Sequence, residues 1–150
     1  MPHQDNAREP VDAAIGALDL AALEGRRAQS LSGGETARVL LGRVLAGEPE
    51  WILADEPLAP LDLSHQLALL KYLRMAADEG AGVVIVLHDL ALAMNFCDRI
   101  MVLGKGERDA GYLVADGPPE SALDEKLIEE VWGISMRWIG ESGARALIHH

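Results

Sequence analysis

The sequence predicts an α/β fold in which helices flank a parallel sheet, and three observations carry that expectation. Two short apolar runs, "WILA" at 51–54 and "VVIVL" at 83–87, stand on either side of a helical stretch at 62–80. Strand, helix and strand at this length make a parallel crossover unit. Both runs are continuously apolar instead of alternating, the pattern of strands buried on two faces. Titratable residues follow each run directly, Asp55-Glu56 after the first and His88-Asp89 after the second. In open parallel sheets ligands sit beyond the carboxyl ends of the strands.

The remaining elements follow in order. Val11, Ile15, Leu18 and Ala22 recur at helical spacing, which predicts a helix over 11–24, broken near Gly16 and closed by Gly25. A second helix over about 35–46 carries Val39, Leu40, Val44 and Leu45, and Gly47-Glu48-Pro49 ends it. The crossover helix has Asp62 as its cap, Leu63, Leu67 and Leu70 on successive turns, and Gly80 as its stop. Asp89 caps a short helix through about Phe96, and "RIMVL" at 99–103 reads as a third strand. Gly104-Lys105-Gly106 turns the chain toward "GYLVADG" at 111–117, a strand that pairs with the third as a hairpin. After Pro118-Pro119, residues 120–132 have helical spacing with Asp124 as a further cap, and beyond Trp138 the pattern decays.

Bulk chemistry narrows the function. The net charge is −11, and the 13 basic residues form no block or stripe, which excludes nucleic acid as a direct partner. Cys97 is the only cysteine, so no intrachain disulfide forms, and a reducing compartment is expected. The chain shows no basic-apolar leader and no run of eighteen apolar residues. A soluble chain in the cytoplasm is the expectation, with any membrane contact made through a partner.

Three clusters carry candidate chemistry. Ser32-Gly33-Gly34-Glu35 opens the second helix. Ser32 can cap that helix. The paired glycines and the positive end of the dipole also suit an anion, a phosphate above all. Asp55 stands where a nucleotide-bound Mg²⁺ is commonly held, since a hard cation takes carboxylate or water oxygen. Glu56, the next residue on an extended backbone, would point the other way and face an attacking water. Each residue alone also has a plainer reading: Asp-Glu-Pro as a polar turn, His88 as a hydrogen-bonded histidine, Asp62 as a helix cap.

Taken together, "LSGGE" at 31–35, "WILADEP" at 51–57, "LAPLD" at 58–62 and "VLHDL" at 86–90 resemble the signature motif, Walker B strand, D-loop and switch-histidine loop of ATP-binding cassette (ABC) ATPases. The resemblance implies part of a P-loop NTPase (RecA-like) sheet with flanking helices. Residues 1–48 would be a remnant of the helical subdomain and 49–150 the C-terminal part of the ATPase core. It implies ATP and Mg²⁺ as cofactors, a second cassette as partner, and transmembrane permease subunits. By the same carry-over, Ser32, Gly33, Gly34 and Glu35 meet the ATP of the opposite subunit. Asp55 is associated with Mg²⁺ through water, Glu56 polarises the attacking water, Asp62 communicates across the dimer and His88 senses the γ-phosphate. The connecting text, "LDLSHQLALL" and "LHDLALAMNFCDRIMVL" included, is most similar to importer cassettes for iron-siderophore, haem or cobalamin. That places the chain in the cytoplasm, peripheral at the inner face of the plasma membrane. Ala37 and Pro60 depart from the family pattern, at positions where two cassettes meet.

One motif is missing. A cassette cradles phosphate with G-x-x-x-x-G-K-S/T, and neither Lys71, Lys105 nor Lys126 sits in such a setting. The chain therefore resembles the C-terminal part of a cassette, whose missing strand would leave sheet edges exposed. Three readings stay open: the ATPase subunit of an importer, a non-catalytic module that complements or regulates an intact cassette, and an ABC ATPase outside transport. The importer reading predicts that the two apolar strands are parallel neighbours. Asp55, Glu56 and His88 would emerge at one edge of the sheet, beside an open cleft, with the Ser32 helix start on a separate face.

Overall fold

The structure, a computed structural model, describes residues 8–106 and 110–149. In chain order the elements are α1 (Glu9–Ala17), 3₁₀ turns at Ala21–Leu23 and Ala28–Ser30, α2 (Gly33–Leu45), β1 (Trp51–Ala54), α3 (Leu63–Asp78) and β2 (Gly82–Ile85). Then come α4 (Leu90–Phe96), β3 (Ile100–Lys105), β4 (Gly111–Gly117), α5 (Pro119–Ala122), α6 (Glu125–Trp132), β5 (Met136–Ile139) and β6 (Ala146–His149). The chain divides into two compact units between Val86 and Leu87.

In the first unit β1 and β2 pair in parallel, with Ile52 opposite Val83 and Ala54 opposite Ile85, as the crossover spacing predicts. The ladder extends past both ends: Gly82 N–H donates to the Glu50 carbonyl at 2.8 Å, and Val86 N–H donates to the Ala54 carbonyl at 2.9 Å. Parallel pairing puts the carboxyl ends of both strands at one edge, and Asp55-Glu56 leave the sheet there. At the other end the Trp51 ring lies over Gly82 so closely that a Cβ on Gly82 would have to push the ring aside.

The sheet is buried on one face only, which corrects the expectation of two. Ile52 is buried, whereas Trp51 and Leu53 are 67% and 77% exposed, and Val84 and Val86, on the same face as Leu53, are exposed too. The apolar runs carry side chains for two cores, and the described residues of this unit build one. Its buried leucines include Leu18, Leu20 and Leu45, and Leu69, Leu70 and Leu73 of α3.

The first helix is also shorter than its periodicity predicts. It ends at Ala17, and Asp19 turns the chain with φ 49°. Leu18 and Leu20 are both buried. Residues two apart stand about 200° apart on a helix, so burying both in one core requires the helix to break. The single capped helix expected over 35–46 starts slightly earlier, at Gly33, with Ser32 as its cap.

In the second unit β3 and β4 form the expected antiparallel hairpin, with a bulge between Val102 and Leu103. The helical stretch after Pro118 is two helices, because Asp124 restarts the chain by accepting from Leu127 N–H, and Gly133 stops it at φ 69°. Beyond it lies a hairpin the sequence reading leaves unassigned, β5 paired with β6. Two polar anchors hold it. Trp138 Nε1 donates to the Leu123 carbonyl at 2.7 Å, and the Asn95 amide exchanges hydrogen bonds with the Arg145 backbone at 2.8 Å in each direction. The core of this unit is Ala93, Met94, Val102, Leu123 and Ile128.

Burial sets the expected response to mutation. Leu69→Ala, at a fully buried site, lowers stability by about 2–5 kcal/mol, whereas Leu53→Thr changes it by no more than about 0.5 kcal/mol. Urea unfolding midpoints at an unchanged slope check both values.

Candidate functional site

The signature stretch is first of all a helix start. Ser32 has extended backbone (φ −65°, ψ 166°) and caps α2 through a complete capping box. Glu35 N–H donates to Ser32 Oγ at 3.3 Å, and Ser32 N–H donates to Glu35 Oε2 at 2.7 Å. The bond from the Ser32 backbone is the main cause that holds the Glu35 carboxyl below its usual range, with the Ser32 hydroxyl and the nearby Arg26 adding to it. The box occupies the N–H groups of Ser32 and Glu35 and leaves those of Gly33 and Gly34 outside it. Gly33 faces open space, so nothing in this fold requires a glycine there, while a Cβ on Gly34 would rest 3.5 Å from the Pro60 carbonyl. The cap and the open backbone coexist: the plain reading is realised, and the exposed dipole end remains.

At the carboxyl edge of β1 the chain leaves extended geometry. Asp55 and Glu56 form a bend, and Glu56 adopts φ 47°, the left-handed region. The expectation that an extended backbone points Glu56 away from Asp55 is therefore corrected: a left-handed turn sets its direction. A non-glycine residue there costs on the order of 1 kcal/mol, a strain the surrounding turn must hold. That turn is anchored from below. Leu58 is buried, and Gln66 Nε2 donates to the Leu58 and Leu61 carbonyls, each at 3.0 Å.

Asp62 ends the turn and caps α3. Its Oδ1 accepts from His65 N–H at 3.1 Å, Ser64 Oγ at 2.8 Å and His65 Nδ1 at 2.7 Å. These bonds, the His65 backbone first, hold its carboxyl down to about 2. His65 also meets Arg38 of α2, with Nη1 at 2.7 Å from Nε2. Sequence reasoning assigned no role to Arg38, His65 or Gln66. Their signal is only that they flank the motifs on α2 and α3.

His88 lies three residues past β2, exposed, at the start of the second unit, one residue before the Asp89 cap of α4. A recess of about 750 Å³ in the first unit, lined by Glu50, Trp51, Tyr72, Glu79 and Gly82 among others, sits at the amino ends of the strands. That is the opposite edge from Asp55. Tyr72, on its wall, is pushed up by burial and by Glu48 and Glu79.

The donor set limits the metal chemistry. Among the described residues no three His, Cys, Asp or Glu side chains gather into a metal-binding group. A hydrated Mg²⁺, which keeps several waters and takes only one or two carboxylates beside phosphate oxygens, fits the exposed Asp55. Tight all-protein coordination does not.

A parallel strand pair with a crossover helix, acidic residues at its carboxyl edge and a capped S-G-G-E helix beside the following turn fit the P-loop NTPase class of fold. The comparisons agree. The ABC transporter family model matches residues 3–59. A hemin import ATP-binding protein, HmuV of Rhodococcus jostii, is 45% identical over 132 residues, 88% of this chain and 44% of that protein. The chain thus spans less than half the length of this curated relative. Among solved structures, an archaeal ribosome recycling factor aligns over 93% of this chain and 28% of its own at a TM-score of 0.70 and 26% identity. CbiO1 of Clostridium perfringens, part of the ABC transporter complex cbiONQ, aligns over 85% and 49% at 0.60 and 27%. The chain belongs to the ABC transporter family of ATP-binding cassettes.

Two measurements test the caps. Ser32→Ala lowers stability by about 1 kcal/mol and Ser32→Gly by only a few tenths, read from denaturant unfolding. The Asp62 carboxyl titrates with a midpoint near 2, read from its carboxyl ¹³C shift. Because this pKa is depressed, the stability Asp62 contributes is present above the ordinary carboxylate range near 3.8 and is lost as pH falls through about 2.

Proposed function

We propose that the chain is the C-terminal part of the ATP-hydrolysing cassette of an importer that serves hemin or a related iron chelate. The observation that carries this reading is the 45% identity with a hemin import ATP-binding protein over 132 residues, an alignment that covers 88% of the chain. Fold alone would not favour import, since the same architecture aligns with a ribosome recycling factor. The charge of −11 speaks against a nucleic-acid setting.

In this reading Asp55 holds Mg²⁺ through water and Glu56 orients and polarises the attacking water. ATP with Mg²⁺ supplies the transferable γ-phosphoryl group and the charge neutralisation that its displacement needs. Ser32, Gly33, Gly34 and Glu35 face the nucleotide of a second cassette, where the open N–H groups of the two glycines and the positive helix end stabilise phosphate charge. His88 contacts the γ-phosphate, and Asp62 contacts the partner cassette. Permease subunits would hold the cassette at the inner membrane face.

A second reading has its own support. None of the three lysines lies in a phosphate-cradling loop, so the chain by itself would present a signature face to an intact cassette as a complementing module.

The expected outcome for the purified chain is no ATP hydrolysis above background. Metal-dependent phosphate release that Glu56→Gln abolishes would contradict it. Mixed with an intact hemin-importer cassette, the chain associates in an ATP-dependent manner, and Ser32→Arg weakens that association while Glu56→Gln preserves it. Sedimentation with and without ATP decides the matter. Equal association by both variants would overturn the assigned roles.

A further inference from the structure

We propose that His65 is a positioning residue which, held in its Nδ1–H tautomer, locks the signature start of α2 to the Asp62 turn so that the two move as one piece. The tautomer follows from the partners. A guanidinium only donates, so Nε2, 2.7 Å from Arg38 Nη1, is the acceptor. The ring proton then sits on Nδ1 and donates to Asp62 Oδ1 at 2.7 Å. The imidazole spans a cation on one helix and the capping carboxylate of the next, and it is only about one-fifth exposed.

Arg38 is itself anchored. Its Nη1 also donates to the Leu18 carbonyl at 3.2 Å and the Asp19 carbonyl at 3.3 Å, the orphan end of α1. It lies four residues after Gly34, on the same face of α2. Gly34 faces the same turn, since a Cβ added there would rest 3.5 Å from the Pro60 carbonyl. One face of α2 therefore looks onto the turn before Asp62 at Gly34 and is bonded to Asp62 itself through Arg38 and His65. A shift of the Asp62 turn draws on the helix whose first residues are Gly33 and Gly34. The functional consequence rests on the proposed cassette reading: two surfaces that would face a partner cassette are mechanically joined within one chain. The joint itself requires no nucleotide.

The test uses the whole 150-residue chain without nucleotide. Long-range ¹H–¹⁵N correlation of the His65 ring is expected to show the Nδ1–H tautomer, and the Nε2–H form overturns the proposal. Amide hydrogen exchange then compares wild type, His65→Ala and His65→Gln. In His65→Ala, exchange rises about five- to tenfold at Glu35 and Thr36 of α2 as well as at His65 and Gln66 of α3, with the β1–β2 ladder amides Gly82 and Val86 unchanged. His65→Gln, whose amide oxygen can still accept from Arg38, restores protection on α2. A rise confined to residues 65 and 66 would mean that His65 only completes the α3 cap, and overturns the proposal. Because neither measurement involves ATP, their failure leaves the proposed function standing, and failure of ATP-dependent association leaves the joint standing.

Discussion

The parallel ladder between β1 and β2 is the constraint on which the first unit depends. Parallel strands cannot be joined by a tight turn, so α3 must carry the chain back along the sheet, and the crossover places both carboxyl ends at one edge. The acidic residues of this unit assigned to nucleotide chemistry hang from that edge or from the turn that follows it. Asp55 and Glu56 leave β1 there, Leu58 plugs the turn into the core, and Asp62 hands the chain to α3 as its cap. Had the strands been antiparallel, the carboxyl ends of β1 and β2 would have lain at opposite edges of the pair.

Side-chain hydrogen bonds to backbone then convert the edge into a defined surface. Gln66 ties down two carbonyls of the turn, Asp62 collects three donors, and the Ser32–Glu35 box closes the helix start opposite. The depressed Asp62 carboxyl is a measure of that collection, because each donor favours the charged form. Polar groups that look merely local are thus what holds the motifs in register with one another.

Legibility in the sequence followed locality. The caps Ser32, Asp62, Asp89 and Asp124 were readable because a capping oxygen and its N–H lie within three residues, and all four accept as expected. The β1–β2 crossover and the β3–β4 hairpin were readable from apolar runs and turn residues. What stayed hidden was set by distant partners. Leu18 and Leu20 break the first helix because both are needed in one core, and β5–β6 depends on Asn95 and Leu123, far away in sequence. At the candidate site, the positions of Asp55 and Asp62 were legible. The left-handed turn at Glu56 was not, since propensity argues against a glutamate there, and the Arg38–His65 contact joins residues 27 apart.

The exposed face of the β1–β2 pair shows where a sequence pattern and a structure inform each other by disagreeing. A strand with water on one side needs alternation, and Leu53 or Val84 on that side would gain nothing from being apolar. Trp51, Leu53, Val84 and Val86 are nonetheless apolar and exposed. Their continuity is the pattern of a strand pair covered twice, in a chain that matches less than half of a longer relative. An isolated exposed leucine would need no explanation. Four apolar residues on one face of two paired strands do, and the physical reading is that hydrophobic pattern records the cover a sheet evolved under, while burial records only the cover that is present.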